Sequence, residues 1–296
     1  MKIDLTLKVF LISLLFGTFA CEIINPEEDI PAYLHIRPFQ FNTNPIAEGS
    51  AAHSITDAWV FVDNVFLGTY NSPATLPVLA TGNQEVRISA GILDNGIAAL
   101  PEIYTMYQEY RTTVELAANV EDTIQPVTFY QSNLNFLLEP QEGFESAGLL
   151  IGEDLDGNPM SNLIRTNQDV FEGEFSGHIH LNSDQPSIET GSVRFENVPF
   201  PIGATIYLEL NYKTNVTVVF GIIAYDSFGQ RVFAEFNKGI NPNDSWNKIY
   251  FNFTEEILSI ARSDQVAFYQ FCLHSQLSTG EEEGDIYLDN IKWITF

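Results

Sequence analysis

The amino-acid sequence predicts an all-β protein built from two sandwich domains. From Ala32 onward, short apolar runs rich in Val, Ile, Phe, Tyr and Thr recur between Gly, Pro, Asn and Asp residues. This alternation is typical of strands joined by turns. The chain has 296 residues, and domains usually hold roughly 100–200 residues each. One segment, Thr254–Ala261, predicts a helix start, because Thr254 can cap it and carboxylates fill its first turn.

Residues 1–20 have the pattern of an export signal. Lys2 and Lys8 precede or flank the apolar run Val9–Phe16, and small residues follow up to Ala20. The run is far shorter than the roughly 20 apolar residues that a membrane-spanning helix needs. A buried first strand or helix is the alternative interpretation. The charged start and the abrupt change to acidic residues favour a signal peptide.

The segment Phe19-Ala20-Cys21 resembles the relaxed lipobox of Bacteroidetes-type lipoproteins. The resemblance implies acylation of Cys21, cleavage before it and anchoring in a membrane, since each buried methylene group contributes about 0.8 kcal/mol. Residues 21–31 then form an acidic tether. Within it, Glu27, Glu28 and Asp29 resemble the export signals that send such lipoproteins to the outer face of the outer membrane. We therefore expect a lipid-anchored protein that faces the cell surface.

The charge balance limits the possible partners. The chain has 13 Lys and Arg residues against 39 Asp and Glu residues, which gives a formal net charge of −26. Nucleic acid is excluded as a partner, because phosphate binding needs clustered basic side chains, and here they are scattered. Besides Cys21, the only cysteine is Cys272. It lies in an apolar run, which predicts a small buried side chain rather than a nucleophile. With Cys21 acylated, no disulfide can form.

Residues 32–139 form the first predicted domain. In Ala58–Tyr70, the dipeptide Asp63-Asn64 separates two apolar runs and predicts a hairpin. A turn at Gly82 and a further strand follow. This order resembles PEGA-like and related immunoglobulin-like sandwiches, which are mostly spacer or adhesive modules on cell surfaces. We expect Trp59, at a strand position, to lie in the core rather than to serve as a ligand platform.

Two interpretations remain open for Leu93–Pro101 and the residues that follow it, Tyr104, Met106, Tyr107 and Tyr110. The segment interrupts the alternation expected of strands. It is either an ordinary connection, which we favour, or a protruding loop with an aromatic contact surface for another protein, since Tyr is enriched in interface cores.

Residues 140–296 form the second predicted domain. Its motifs resemble, in order, those of galactose-binding-like jelly rolls such as carbohydrate-binding modules: Phe144-Glu145-Ser146, Ser176-Gly177, Ser245–Phe253 and Leu288-Asp289-Asn290-Ile291. The resemblance implies a C-terminal jelly-roll sandwich after the N-terminal immunoglobulin-like one. It also implies that Trp246 and Trp293 pack in the core.

Members of this family often hold a structural calcium ion near the first and last strands. The resemblance places its ligands at Glu145 and Asp289, although calcium takes six to eight oxygen ligands and the sequence nominates two. No other cofactor is expected. The segment Asp154–Asn158 also contains calcium-like acidic spacing, but it lacks the rest of an EF-hand loop, and we favour a plain turn.

Catalytic chemistry is not indicated. Any pair of carboxylates chosen for glycoside hydrolysis would be nearly arbitrary among so many acidic residues, and no Ser-His-Asp or phosphate-loop motif occurs. His178 and His180 alternate on one predicted strand and would share a face, as zinc ligands do, yet no third ligand stands at a diagnostic spacing. We therefore favour surface histidines without a metal.

Three functions remain. The first expectation is a non-catalytic accessory or scaffold subunit of an outer-membrane protein complex concerned with assembly, secretion or uptake. It follows from the anchor, the two β domains and the missing catalytic pattern. The alternative is a surface glycan-binding lipoprotein, with polysaccharide as partner, which follows from the jelly-roll resemblance. An anchored glycoside hydrolase is the distant third.

Overall fold

The computed structural model describes residues 28–99, 101–138, 140–158, 160, 162–196, 205–260 and 265–296. Cys21, Glu27 and the predicted signal peptide lie outside these residues, so the lipid anchor stays a prediction. Glu28 and Asp29 are described and exposed. Within the described ranges, no helix has the length and apolar character needed to cross a bilayer.

The first half of the chain is a two-sheet sandwich. Its strands are β1 (Ala32–Ile36), β2 (Gln40–Phe41), β3 (Asp57–Val62), β4 (Val65–Asn71), β5 (Ala74–Val78), β6 (Gly82–Leu93), β7 (Pro101–Ile103), β8 (Tyr110–Leu116), β9 (Glu121–Ile124) and β10 (Val127–Thr128). One sheet has the order β5-β1-β9, and the other has the order β4-β3-β6-β7 with β8 also paired to β6. Strands β2 and β10 form a separate parallel pair. Buried side chains from both sheets, among them Leu34 and Val60, form one core.

The predicted hairpin is confirmed as β3–β4. Asp63 and Asn64 both have positive φ, 47° and 66°. This is the conformation that a two-residue turn needs to match the twist of its strands, and Asp and Asn tolerate it. Trp59 was expected in the core, but it lies half-buried outside it and stacks on Phe66, with ring centroids 5.4 Å apart.

The second half forms the predicted jelly-roll sandwich. Its elements are β11 (Asn135–Phe136), β12 (Ile151–Asp154), β13 (Ile164–Thr166), β14 (Ser176–Asn182), β15 (Ser187–Ser192), β16 (Phe195–Glu196), β17 (Ile206–Thr214), β18 (Val218–Tyr225), β19 (Arg231–Ile240), β20 (Asn243–Asn252), α1 (Thr254–Ile260), β21 (Phe268–Gln276) and β22 (Glu283–Thr295). We call the sheet of order β13-β14-β22-β17-β20 sheet I, and the sheet of order β12-β15-β21-β18-β19 sheet II. The helix α1 begins at Thr254, as predicted.

The core between sheets I and II is rich in aromatic rings. Trp293 is 1% exposed, and it stacks on Phe253 with ring centroids 6.0 Å apart. Its predicted place in the core is therefore confirmed. Cys272 is also fully buried, and burial raises the pKa of its thiol well above the usual range. This agrees with a small apolar side chain rather than a nucleophile.

A β-bulge in β22 determines which side chains face outward from sheet I. Glu209 pairs with Lys292 and Asn211 pairs with Asp289, so β22 carries one residue more than β17 over this stretch. Asn290 takes up the extra residue with a positive φ of 48°. Without the bulge, residues an odd number of positions apart in β22 would face opposite sides of the sheet. Because of the bulge, Asp285 and Lys292 both lie on the face turned away from the core.

The first sandwich packs on the outward face of sheet I. Tyr104 and Tyr107 are buried there against Tyr207 and Tyr250 of the second half. The connection after β6 also contacts sheet I, because the Asn95 backbone N–H donates to the Tyr250 carbonyl oxygen at 2.9 Å. Tyr104 and Tyr107 therefore contact the second half of the same chain. The division at residues 139 and 140 stays a prediction; β11, just before it, pairs with β22 of sheet I.

Candidate binding face on sheet I

Adjacent strands of sheet I place two histidines beside an aspartate and a tyrosine. On β14, Ile179 and Leu181 fill the core, so His178 and His180 face outward. On β22, His178 pairs with Tyr287 and His180 pairs with Asp285. Directly opposite residues of antiparallel strands share a face. The four side chains therefore form one patch.

The patch is tightly hydrogen-bonded. His178 Nε2 lies 2.8 Å from Asp285 Oδ1, and His180 Nδ1 lies 2.9 Å from the same oxygen. Burial raises the pKa of Asp285, but the hydrogen bonds from His180 and His178 outweigh it and hold this pKa below its usual range. The His178 ring also stacks on Tyr287, with centroids 4.4 Å apart and planes 8° apart. Both contacts fix the orientation of the His178 side chain.

The outward face continues across β17 and β20. Lys213 pairs with Tyr287, and its Nζ lies 2.5 Å from Asp169 Oδ2. Trp246 Nε1 donates to Asp169 Oδ1 at 2.8 Å. Burial raises the pKa of Asp169, but the hydrogen bonds from Lys213 and Trp246 lower it below its usual value. Asp169 thus contacts both the Trp246 indole and the Lys213 ammonium group and holds them close together on the face.

Five rings follow one another across this face, and we call them the aromatic row: Phe171, Trp246, Tyr287, His178 and His180. Successive ring centroids lie 5.7, 6.5, 4.4 and 6.2 Å apart. Phe171 is 38% exposed, and the His180 side chain is 42% exposed. Both ends of the aromatic row are therefore exposed to solvent, and the His178 side chain within it is 13% exposed. Carboxylates and an ammonium group lie beside the row.

The expectation that Trp246 packs in the core is wrong. Ile249 and Phe251 of β20 fill the core, and Trp246 belongs with Lys248 and Tyr250 on the outward face. The alternation of apolar residues along Ser245–Phe253 indicates the outward position of Trp246. Core residues occupy every second position from Ile249 to Phe253, and Trp246 falls on the alternate positions. The core position was implied by the family resemblance alone.

The rest of the same face is covered by the first sandwich. There, Lys248 Nζ lies 2.8 Å from Glu209 Oε2, in an ion pair that is almost wholly buried. The hydroxyls of Tyr104 and Tyr130 donate to Glu209 at 2.7 and 2.9 Å. Burial raises the pKa of Glu209, but Lys248 and Lys292 outweigh it and keep this pKa below its usual value. Glu209 is therefore an ionised centre between the two halves of the chain.

The predicted calcium ligands have other partners. The Glu145 carboxylate accepts backbone N–H groups of Glu174 and Phe175 at 2.8 and 3.0 Å. Asp289 is fully buried and accepts the N–H groups of Asn290 and Glu172 at 2.7 and 3.1 Å. Burial raises the pKa of Asp289 to about 7. A calcium ion at these carboxylates stays a prediction.

The Asp154–Asn158 segment has the geometry of a plain turn. Asp154 Oδ1 accepts the Gly157 N–H at 2.7 Å, and Asp156 Oδ1 accepts the Asn158 N–H at 2.8 Å. Gly157 has a φ of 75°, which glycine adopts at little cost. These are the local hydrogen bonds by which Asp and Asn stabilise turns, so the segment forms a turn.

Among the described residues, the metal-ligating side chains that come together are His178, His180 and Asp285. Sequence reasoning found the two histidines and missed the aspartate, which is more than a hundred residues away in the chain. Its signal is the pairing of β14 with β22, since both strands show alternating apolar residues that fix which side chains face outward. No spacing rule within one strand contains this information.

No protein-family model matches the chain, and neither does any curated protein. Similar solved structures include carbohydrate-binding modules from the β-sandwich superfamily, with a TM-score of 0.39 and 14% identity over 90% of this chain and 99% of the other. The xylan-binding domain of Paenibacillus barcinonensis Xyn10C has a TM-score of 0.37 and 13% identity over 54% and 94%. The family 11 carbohydrate-binding module of Clostridium thermocellum Lic26A-Cel5E has a TM-score of 0.35 and 12% identity over 55% and 95%. At these identities and scores, they assign no ligand to this chain.

Proposed function

We propose that this protein binds a neutral polysaccharide through the aromatic row, as a non-catalytic lipoprotein on the cell surface. The observation that carries the proposal is the aromatic row itself, whose rings come from β14, β22, β20 and the segment before β14 and whose two end rings are exposed. Aromatic rings offer large apolar faces that stack with the C–H faces of sugar rings. A row of rings suits an extended chain of sugars better than a single small molecule.

Polar groups beside the rings supply hydrogen bonds to sugar hydroxyls. Asp169 and Asp285 accept, Lys213 donates, and His180 does either, depending on its tautomer. These four groups are already held in place by ion pairs and hydrogen bonds among themselves. A ligand would therefore meet a preorganised face, which lowers the entropy cost of binding.

Electrostatics favours a neutral glycan. The chain carries a formal net charge of −26, and Asp169 neutralises Lys213, which lies beside the aromatic row, at an Nζ to Oδ2 distance of 2.5 Å. A polyanionic glycan would meet repulsion from the whole chain and no free cation on this face among the described residues.

The same face fits a protein partner less well. Interface cores are depleted of charged residues, and here Asp169, Lys213 and Asp285 lie beside the rings. The role of accessory subunit in an outer-membrane complex would be supported by a stoichiometric partner that co-purifies from detergent-solubilised membranes.

The binding test uses affinity electrophoresis of the purified protein in gels that contain soluble neutral glucans, mannans or xylans. Alginate and polygalacturonate serve as polyanionic controls. We expect retardation by at least one neutral polysaccharide and none by the polyanions. Failure of the whole neutral panel to retard the protein would contradict the proposal.

The surface anchor is tested separately through Cys21. Acylation requires its thiol, so Cys21→Ala should abolish labelling by radioactive fatty acid and release the protein from the outer-membrane fraction. Cys272→Ala is the matched control and should keep wild-type labelling, because Cys272 is fully buried. Equal labelling of the Cys21→Ala variant and wild type would rule the anchor out.

A further inference from the structure

We propose that His178, His180 and Asp285 bind one divalent transition-metal ion of the zinc class, at the end of the aromatic row that lies on β14. The three side chains come from two paired strands, so the backbone ladder fixes their relative positions. The inference is independent of polysaccharide binding, because metal binding can be measured with no glycan present.

The geometry brings three ligand atoms to one point. His178 Nε2 and His180 Nδ1 both point at Asp285 Oδ1, and the three atoms lie within 4.8 Å of one another. Zinc bonds of about 2.0–2.2 Å in a tetrahedral site separate neighbouring ligand atoms by about 3.3 Å. The present nitrogen-to-oxygen distances of 2.8 and 2.9 Å are shorter than this. Entry of the ion therefore requires the ligand side chains to rearrange, and His180 and Asp285, which are 42% and 36% exposed, can rotate.

The donor set selects the class of metal. Two imidazole nitrogens and one carboxylate oxygen suit zinc and neighbouring first-row transition metals, whereas calcium and magnesium prefer oxygen ligands alone. Three protein ligands leave at least one position of a tetrahedral ion for water or another oxygen ligand. That position would face solvent, since His180 and Asp285 are 42% and 36% exposed.

With neutral histidines, a metal ion can replace the two hydrogen bonds to Asp285 without any change in the number of bound protons. Because the ionised Asp285 carboxylate only accepts, each neutral imidazole carries its proton on the nitrogen that points at Asp285 and donates a hydrogen bond to it. On metal binding, that proton moves to the other ring nitrogen, so His178 would coordinate through Nε2 and His180 through Nδ1. The carboxylate loses two hydrogen bonds and gains the cation. No oxidant, reductant or net proton transfer to solvent is required.

The surroundings favour a cation. The Asp285 backbone N–H donates to Asn215 Oδ1 at 2.7 Å, which holds the strand that carries the carboxylate. His178 is fixed by its stack on Tyr287. Such supporting contacts commonly orient metal ligands. The strongly negative charge of the chain also raises the local concentration of cations.

The test measures zinc binding by competition with a chromogenic chelator, using metal-free protein purified without a histidine tag. We expect one zinc ion per chain, no competition by a large excess of calcium or magnesium, and at least tenfold weaker binding in His180→Ala and in Asp285→Asn. His35→Ala is the matched control, because His35 is a strand histidine in the first sandwich, hydrogen-bonded to Thr75. It should bind zinc like wild type.

Nitrogen-15 NMR of the imidazoles supplies a second readout, because zinc should shift His178 Nε2 and His180 Nδ1 and leave His35 unchanged. Thermal unfolding curves of each variant check the fold. Absence of zinc binding in wild type would overturn the proposal. Equal zinc binding in His180→Ala, Asp285→Asn and wild type would overturn it as well, and would show that the cluster is a hydrogen-bonded group only.

Discussion

One face of sheet I is exposed over the aromatic row and covered by the first sandwich over Glu209, Lys248 and Lys292. Both regions combine aromatic rings with charged side chains on the same strands, β17, β20 and β22. In the exposed region, water screens the Lys213–Asp169 pair. In the covered region, the Lys248–Glu209 pair is almost wholly buried, and the Glu209 carboxylate also accepts hydrogen bonds from two tyrosine hydroxyls. Similar chemistry therefore joins the two halves of the chain in one region, and we propose that it serves ligand binding in the other.

The largest expected effect is on the covered region. Glu209→Gln would leave Lys248 and Lys292 buried without their counter-charge, and breaking such a pair typically costs about 3–5 kcal/mol. Urea denaturation of the full-length protein should show a loss of this size in the free energy of unfolding. Asp169→Asn, which breaks the exposed pair, should cost no more than about 1 kcal/mol. Equal losses in the two variants would show that burial does not distinguish the regions.

The two tryptophans of sheet I make the same comparison for aromatic rings. Trp293 is 1% exposed and packs on Phe253 and Phe271, so Trp293→Ala should cost about 3–5 kcal/mol. Trp246→Ala removes a half-buried ring and one hydrogen bond to Asp169, for which we expect about 1 kcal/mol. Unfolding midpoints in urea measure both. A larger loss for Trp246→Ala would place that ring in the core after all.

A smaller effect, visible as a pH dependence, should come from Lys292. Burial lowers its pKa from 10.5 to about 7, although Glu209 acts in the opposite direction. Between these two pH values the unfolded chain binds more protons than the folded chain, so Lys292 makes stability rise as pH increases from about 7 to about 10. In wild type this rise in the free energy of unfolding should exceed about 1 kcal/mol. Lys292→Met should remove it. The difference between the two proteins should stay constant over this range if the pKa of Lys292 is not lowered.

Local patterns in the sequence predicted much of the fold. Asp63-Asn64 fixed the hairpin because both residues tolerate positive φ, and Thr254 with two carboxylates marked the start of α1. Alternation of apolar residues defined the strands that form both sandwiches. These features depend on neighbours in the chain, which is why they can be read without a structure.

The candidate site was less predictable because it depends on long-range pairing. His178 and His180 stood out as a pair, but Asp285 joins them only through the register of β14 and β22. The bulge at Asn290 interrupts the alternation of β22, so the outward position of Lys292 does not follow from a period of two. The covering of part of the face by Tyr104 and Tyr130 depends on how the two sandwiches pack, which no local pattern encodes.

The central claim is that the exposed half of this face binds polysaccharide, and Trp246 tests it most directly. On the neutral polysaccharide that retards wild type, affinity electrophoresis should show at least tenfold weaker binding for Trp246→Ala, equivalent to about 1.4 kcal/mol, and partial recovery for Trp246→Phe. Phe228→Ala, which removes an 85% exposed ring between β18 and β19, should bind like wild type. Wild-type affinity in a folded Trp246→Ala variant would contradict the account.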